Sequence, residues 1–155
     1  MKGHDVFMVP TLSALATTAS CRLGCGVPAS ARDKAKAMTK RHAVSFKNAL
    51  RDGIQIAMGT DAGTPFNFHG ENAQELERMV AFGMSPMQAI LASTSSAARL
   101  IGIQDQVGTI AKGKLADLLL FDGNPLRHIE QLRNRDRIIG VMQAGRFVAG
   151  PLSGM

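Results

Sequence analysis

Tryptophan and tyrosine are absent, and seven phenylalanines are the only aromatic residues among 155. Modules that grip single-stranded nucleic acid stack bases on aromatic side chains, so this shortage argues against such a partner. Cysteine is nearly as scarce. Cys21 and Cys25 stand four apart in SCRLGCGVP, with no second pair to complete a structural zinc site. A disulfide between them is open, and two free thiols in a reducing cytoplasm is the expectation. No apolar run reaches the roughly 18 residues of a membrane span. The amino end, MKGHDVFMVPTLSALATTASC, has a lysine and apolar and small residues, as a signal peptide does. Asp5 comes early, however, and Pro10 interrupts the apolar stretch, so a cytoplasmic location is expected and secretion is the alternative. Acids number 12 against 18 Lys and Arg, a net charge of +6. The excess lies in Arg32 to Arg51 and Arg127 to Arg137, and both read as solvated helix faces rather than a polyanion site.

What is present is enough for one ordinary domain, with 45% hydrophobic residues. Val6 to Ala14 is a short apolar run that predicts a buried strand ending near Pro10. Thr17 to Ser30 is small, Gly and Pro residues and predicts a loop. A long helix should open at Pro28-Ala29-Ser30 and end before Gly53. Its apolar stripe is Ala31, Ala35, Met38, His42, Phe46 and Ala49, with Lys36, Lys40 and Lys47 opposite. Ile54 to Met58 is apolar on both faces, as in a covered parallel sheet. Strand, helix and strand together follow βαβ logic. Asn72 predicts the next helix start, with Glu75 as its capping-box partner and Leu76, Met79, Val80 and Phe82 buried. Ser85-Pro86-Met87-Gln88 predicts another start, for a helix that runs toward Leu100 and breaks between Thr94 and Ser96. Beyond Gly102 the texture becomes β-rich. Two short strands are expected around AKGK, and a hairpin turning at Ala144-Gly145.

One acid stands out. In IQIAMGTDAGTPFNFHG, Asp61 follows directly on the second strand. Chemistry in parallel α/β folds gathers at the carboxyl ends of strands. A carboxylate there can bind a metal or take a proton from a bound water. It can equally cap the next helix or close an Asx-turn, and the local pattern leaves these readings open.

Taken in order, VPTL, GTDAG, HGENAQEL, GMSPMQAILASTSSAARLIG, VGTIAKGKLADLLLFDGNPL and VMQAGRFV closely resemble the carboxyl-terminal part of the amidohydrolase superfamily. The nearest likeness is to its imidazolonepropionase-like and prolidase-like metal-dependent hydrolases, over Val6 to Val148. The resemblance implies an α/β fold: the last two strands of a (β/α)₈ barrel over residues 1–102, and strands of a small composite β-sandwich over 103–155. Val6 to Leu12 would be the seventh barrel strand and Ile54 to Thr60 the eighth. Asp61 matches the family's aspartate at the end of the eighth strand, a metal ligand and general base. His69 matches the histidine of the following HG and would line the active-site mouth and touch substrate, or only order its loop.

The resemblance further implies a divalent metal, zinc, in the full-length parent, and none held by this chain alone. The family's His-x-His pair, its mid-barrel lysine and two later histidines fall before Met1. Their place is not taken by His4, by His42 on the helix stripe or by His128 at the surface. The implied reaction is hydrolysis of a C–N bond in a cyclic amide or dipeptide-like small molecule. The implied partner is the missing amino-terminal part of the polypeptide, or further copies of this chain, with no nucleic acid and no membrane. A non-catalytic assembly module is the alternative, and a basic nucleic-acid-binding domain the third.

Overall fold

The computed structural model describes residues 6–22 and 24–153, so His4 lies outside the described residues. The elements run β1 (Phe7–Met8), α1 (Leu12–Ser20), α2 (Ala29–Arg51), β2 (Gln55–Ile56), α3 (Ala73–Ala81), α4 (Pro86–Ser93), α5 (Ser95–Leu100) and β3 (Leu118–Phe121). Two 3₁₀ turns, Ile129–Arg133 and Arg135–Arg137, lead to β4 (Ile138–Gln143) and β5 (Arg146–Ala149).

β1 and β2 pair in parallel, Phe7 with Gln55 and Met8 with Ile56, so the expected strand–helix–strand unit is present. Just past the ladder, Ala57 N donates to Met8 O at 3.1 Å and Met58 N to Ala92 O at 2.9 Å. Gly59 is required here by close approach, because a Cβ would lie 2.5 Å from Val9 Cγ1. α2 buries Ala35 and Phe46 and half-buries His42 and Ala49, as the periodicity predicts. Ala31 and Met38 instead face solvent, and Thr39 occupies the stripe between Ala35 and His42.

Three expectations need correction. Residues 12–20, taken as strand end and loop, form α1. Nothing local announces this helix, since Thr11 at its N-cap makes no side-chain cap. Its first amides are capped from 63 and 62 residues away: Leu12 N and Ser13 N donate to the two carboxylate oxygens of Glu75, at 2.7 and 2.8 Å. Glu75 is 0% exposed. It therefore does not reach back to Asn72 as a capping-box partner, and α3 starts without a side-chain cap. The capping box at Ser85 and Gln88 does form, and α4 and α5 break at Thr94 as predicted.

The second correction concerns the cysteines. A turn closed by Cys25 N donating to Arg22 O brings Cys21 and Cys25 together, and they are joined as a disulfide rather than left as free thiols. Their Cα atoms are 6.2 Å apart, inside the range a disulfide spans. The third is the stretch around AKGK, which holds one strand, β3, rather than two. Lys114 Nζ explains the difference. It donates to Gln104 O, Val107 O and Thr109 Oγ1, so the chain wraps around an ammonium instead of pairing into a ladder.

β3, β4 and β5 form an antiparallel sheet in chain order, with β4 and β5 joined at Ala144-Gly145, both at positive φ. The helices pack around a core of Leu12, Phe46, Ile56, Leu76, Met79, Met84, Ala89 and Ala92. Ile129 from the first 3₁₀ turn joins that same cluster. Gly108 locks the connection from the other side. It has φ +89, and a Cβ would sit 2.7 Å from Ala98 Cβ and 3.1 Å from Thr94 O, over the α4–α5 break.

Two stability outcomes follow. Glu75→Ala should lower stability by roughly 3 kcal/mol, because two buried amides lose a charged acceptor, and Glu75→Gln by about half as much. Urea unfolding followed by circular dichroism measures both, and a loss below about 0.5 kcal/mol for Glu75→Ala would show that the clamp does not hold α1. Gly108→Ala should cost roughly 2 kcal/mol, since the new methyl meets backbone as well as Ala98 at a left-handed φ. An unchanged midpoint would contradict that packing.

Candidate active site

Asp61 lies five residues beyond Ile56, in the loop that leaves the carboxyl end of β2. Its φ is +54, in the left-handed region. Thr11, which follows β1, has φ +46, and Phe66 in the Asp61 loop has φ +62. Strained non-glycine backbone thus gathers at one end of the parallel pair, at a cost of order 1–3 kcal/mol per residue that the surroundings must offset.

Asn67 supplies much of that offset. It is 1% exposed, and its Nδ2 donates to Thr60 O at 2.6 Å and Asp61 O at 3.0 Å. Thr64 Oγ1 donates to the same Asp61 carbonyl at 3.0 Å. Gly63 N donates to Asn67 O at 2.8 Å, and Asn67 N to Thr64 O at 3.0 Å, closing the turn. The Asp61 backbone is thereby fixed while its residue stays exposed. Among the described residues its carboxylate makes no hydrogen bond, and it does not cap α3.

His69 is also exposed, and its Nε2 lies 3.7 Å from where a Cβ on Gly63 would stand. The turn therefore brings His69 against the residue two places from Asp61. The other histidines stand elsewhere. His42 is half-buried on α2, and His128 is exposed, its Nδ1 3.2 Å from Glu130 Oε1. Among the described residues no group of three or more His, Cys, Asp or Glu could hold a metal ion.

A cavity of about 790 Å³ opens farther along, lined by Gly70, Glu71, Leu132, Arg135, Val141 and Pro151 among others. Neither Asp61 nor His69 lines it. Arg135 Nη2 donates to Gly70 O at 3.3 Å, which ties the end of the Asp61 loop to the 3₁₀ turn before β4.

Asn67 escaped the sequence reading. The available signal was an amide side chain inside a Gly- and Pro-containing turn, where Asn commonly bonds to nearby backbone.

The chain is similar to known proteins over most of its length. The chain is 29% identical to the ochratoxinase of Aspergillus niger over 153 residues, 97% of this chain and 31% of that protein. It is 30% identical to the imidazolonepropionase of Rubrobacter xylanophilus over 97 residues, 62% of this chain and 23% of that one. A solved Xaa-Pro dipeptidase with methionine bound in its active site superposes with a TM-score of 0.83 at 36% identity, covering 94% of this chain and 35% of the dipeptidase. The chain thus spans about a third of the length of the ochratoxinase and the dipeptidase. The model of the amidohydrolase family matches residues 3–148, nearly the whole sequence, and the chain belongs to that family.

Proposed function

We propose that this chain forms the carboxyl-terminal part of a metal-dependent amidohydrolase that cleaves a C–N bond in a dipeptide-like or cyclic-amide substrate. In this reading residues 1–102 are the end of a (β/α)₈ barrel, and 103–155 contribute strands to a small β-sandwich. The observation that carries it is Asp61: an exposed carboxylate whose backbone is clamped by Asn67 at the carboxyl end of a parallel strand. The family model and the likeness to a Xaa-Pro dipeptidase, an enzyme named for cleaving a dipeptide, support the reaction class.

Asp61 acts as general base. It takes a proton from the attacking water and returns it to the departing nitrogen, a role suited to an exposed carboxylate on a backbone held in place. His69, on the same turn, orients the substrate. The described residues do not by themselves fit a catalytic zinc, which takes about three protein ligands. Asp61 would be one ligand, and the others would come from outside this chain. The exposed edge of the parallel pair agrees with that. Val6 and Val9 are 45% and 40% exposed, and among the described residues β1 has no strand partner but β2. The rest of a barrel, or a second copy, would cover this edge.

The 155-residue chain alone should hydrolyse neither dipeptides nor cyclic amides, with or without added zinc. In a complete barrel containing it, Asp61→Asn should lower kcat by about three orders of magnitude or more, the scale of removing a general base and metal ligand together. His69→Ala should raise KM with a smaller change in kcat. Steady-state kinetics and elemental analysis check these outcomes. Stoichiometric zinc in the isolated chain, with turnover abolished by Asp61→Asn, would place all the ligands within these residues.

A further inference from the structure

One face of α3 carries Glu75, Leu76 and Met79 into the helical layer. Gln74, Glu77, Arg78 and Ala81 stand three and four residues apart, which aligns them on another face. The first 3₁₀ turn, Ile129–Arg133, lies against this helix, and Arg133 Nη1 donates to Glu77 Oε2 at 2.9 Å. Between helix and turn a cavity of about 190 Å³ is left, lined by Gln74, Glu77, Arg78, Ala81 and Arg133. Its wall holds donors without acceptors. Gln74 is 8% exposed, and among the described residues its Nε2 has no hydrogen-bond partner. Arg78 Nε is likewise buried and unpartnered, and Arg78 makes no ion pair with any described residue. Unpaired buried N–H groups are costly, and protein, water or a ligand ordinarily meets them. Glu77 is the one acid on this wall, and Arg133 already holds its Oε2.

We propose that this cavity binds an oxyanion of the phosphate class, as the free ion or as the phosphate group of a small metabolite. The inference stands apart from the reading of Asp61. Its ligand must accept hydrogen bonds, because the unpartnered groups are N–H donors. It must carry negative charge, because two guanidiniums face one carboxylate. The planar fork of an arginine matches two oxygens of one phosphate. The terminal torsion of glutamine is broad, so the Gln74 amide turns its NH₂ into the cavity at little cost. Unlike the proposed metal site, this one is complete within the chain, since every lining residue belongs to α3 or the 3₁₀ turn. Gln74 directly precedes Glu75, so an anion held here braces the helix that caps α1.

The test titrates the 155-residue chain with inorganic phosphate at constant ionic strength and follows the arginine Nε–H signals by nitrogen-15 NMR, with Arg78 assigned through Arg78→Lys. The Arg78 signal should shift saturably, with a Kd of about 1 mM or tighter. Arg78→Gln should weaken binding about tenfold or more, the scale of losing a charged hydrogen bond, and Gln74→Leu about threefold or more. Arg78→Lys keeps the charge without the fork and should fall between wild type and Arg78→Gln. Lys40→Gln, on the exposed face of α2, should leave the affinity unchanged. If Gln74→Leu does not fold, the variants of the half-buried Arg78 carry the test. No saturable shift of Arg78, or equal weakening by Arg78→Gln and Lys40→Gln, overturns the proposal. So does acetate binding as tightly as phosphate. Glycerol phosphate binding more tightly than inorganic phosphate identifies a metabolite as the source, and the reverse order identifies the free ion. In a complete barrel containing this chain the same shift is expected. Its loss there shows that an acid of the parent fills the cavity, and overturns the proposal.

Discussion

A single buried carboxylate joins the two halves of the helical layer. Glu75 accepts a hydrogen bond from Leu12 N on one oxygen and from Ser13 N on the other, and all three residues are almost or fully buried. A helix start leaves its first amides without internal partners and carries partial positive charge, so a carboxylate there answers both needs. Leu12 belongs to the core beside Leu76 and Met79, one and four residues on from Glu75. The contact therefore sets where α1 stands relative to α3, and with it where the ends of β1 and β2 lie. Thr11 and Asp61, the two left-handed residues past those ends, sit in the frame this contact fixes.

Much of this was legible along the chain, and two of the failures, the start of α1 and the role of Glu75, share one cause. The Ser85 capping box, the break at Thr94 and the turn at Ala144-Gly145 rest on neighbours within a few residues, and the parallel strand pair, though its partners are far apart in sequence, is readable from two apolar runs flanking one long helix. The start of α1 rests on an acid 63 residues away, so TLSALATTAS carries no start signal of its own. The same fact misassigns Glu75. Its spacing from Asn72 is right for a capping box, but a longer-range demand takes the side chain. Lys114 likewise looks like an exposed turn residue until Gln104, Val107 and Thr109 are seen to converge on it.

The candidate site divides in a similar way. Asp61 and His69 could be named because acids and histidines carry chemistry wherever they stand, and motif order located them. Asn67 has no such intrinsic signal. Its importance comes from burial, which runs opposite to what residue type suggests: the polar residue is inside, while Phe66 and Phe68 beside it are outside. The two sheets lie on either side of Ile103 in the sequence, yet Ile129 packs into the core with residues of the helical layer.

The Arg135 clasp on Gly70 has a consequence for the order in which the molecule is assembled. The two residues are 65 apart in sequence. At the roughly 5–20 residues per second of synthesis, about 3 to 13 s pass between the appearance of the carbonyl and that of the guanidinium. Throughout that interval the distal end of the Asp61 loop has its own turn but no fastening to the carboxyl-terminal sheet. The turn that holds Asp61 can thus close on its own residues, while the Gly70 end of the loop waits for the segment that precedes β4.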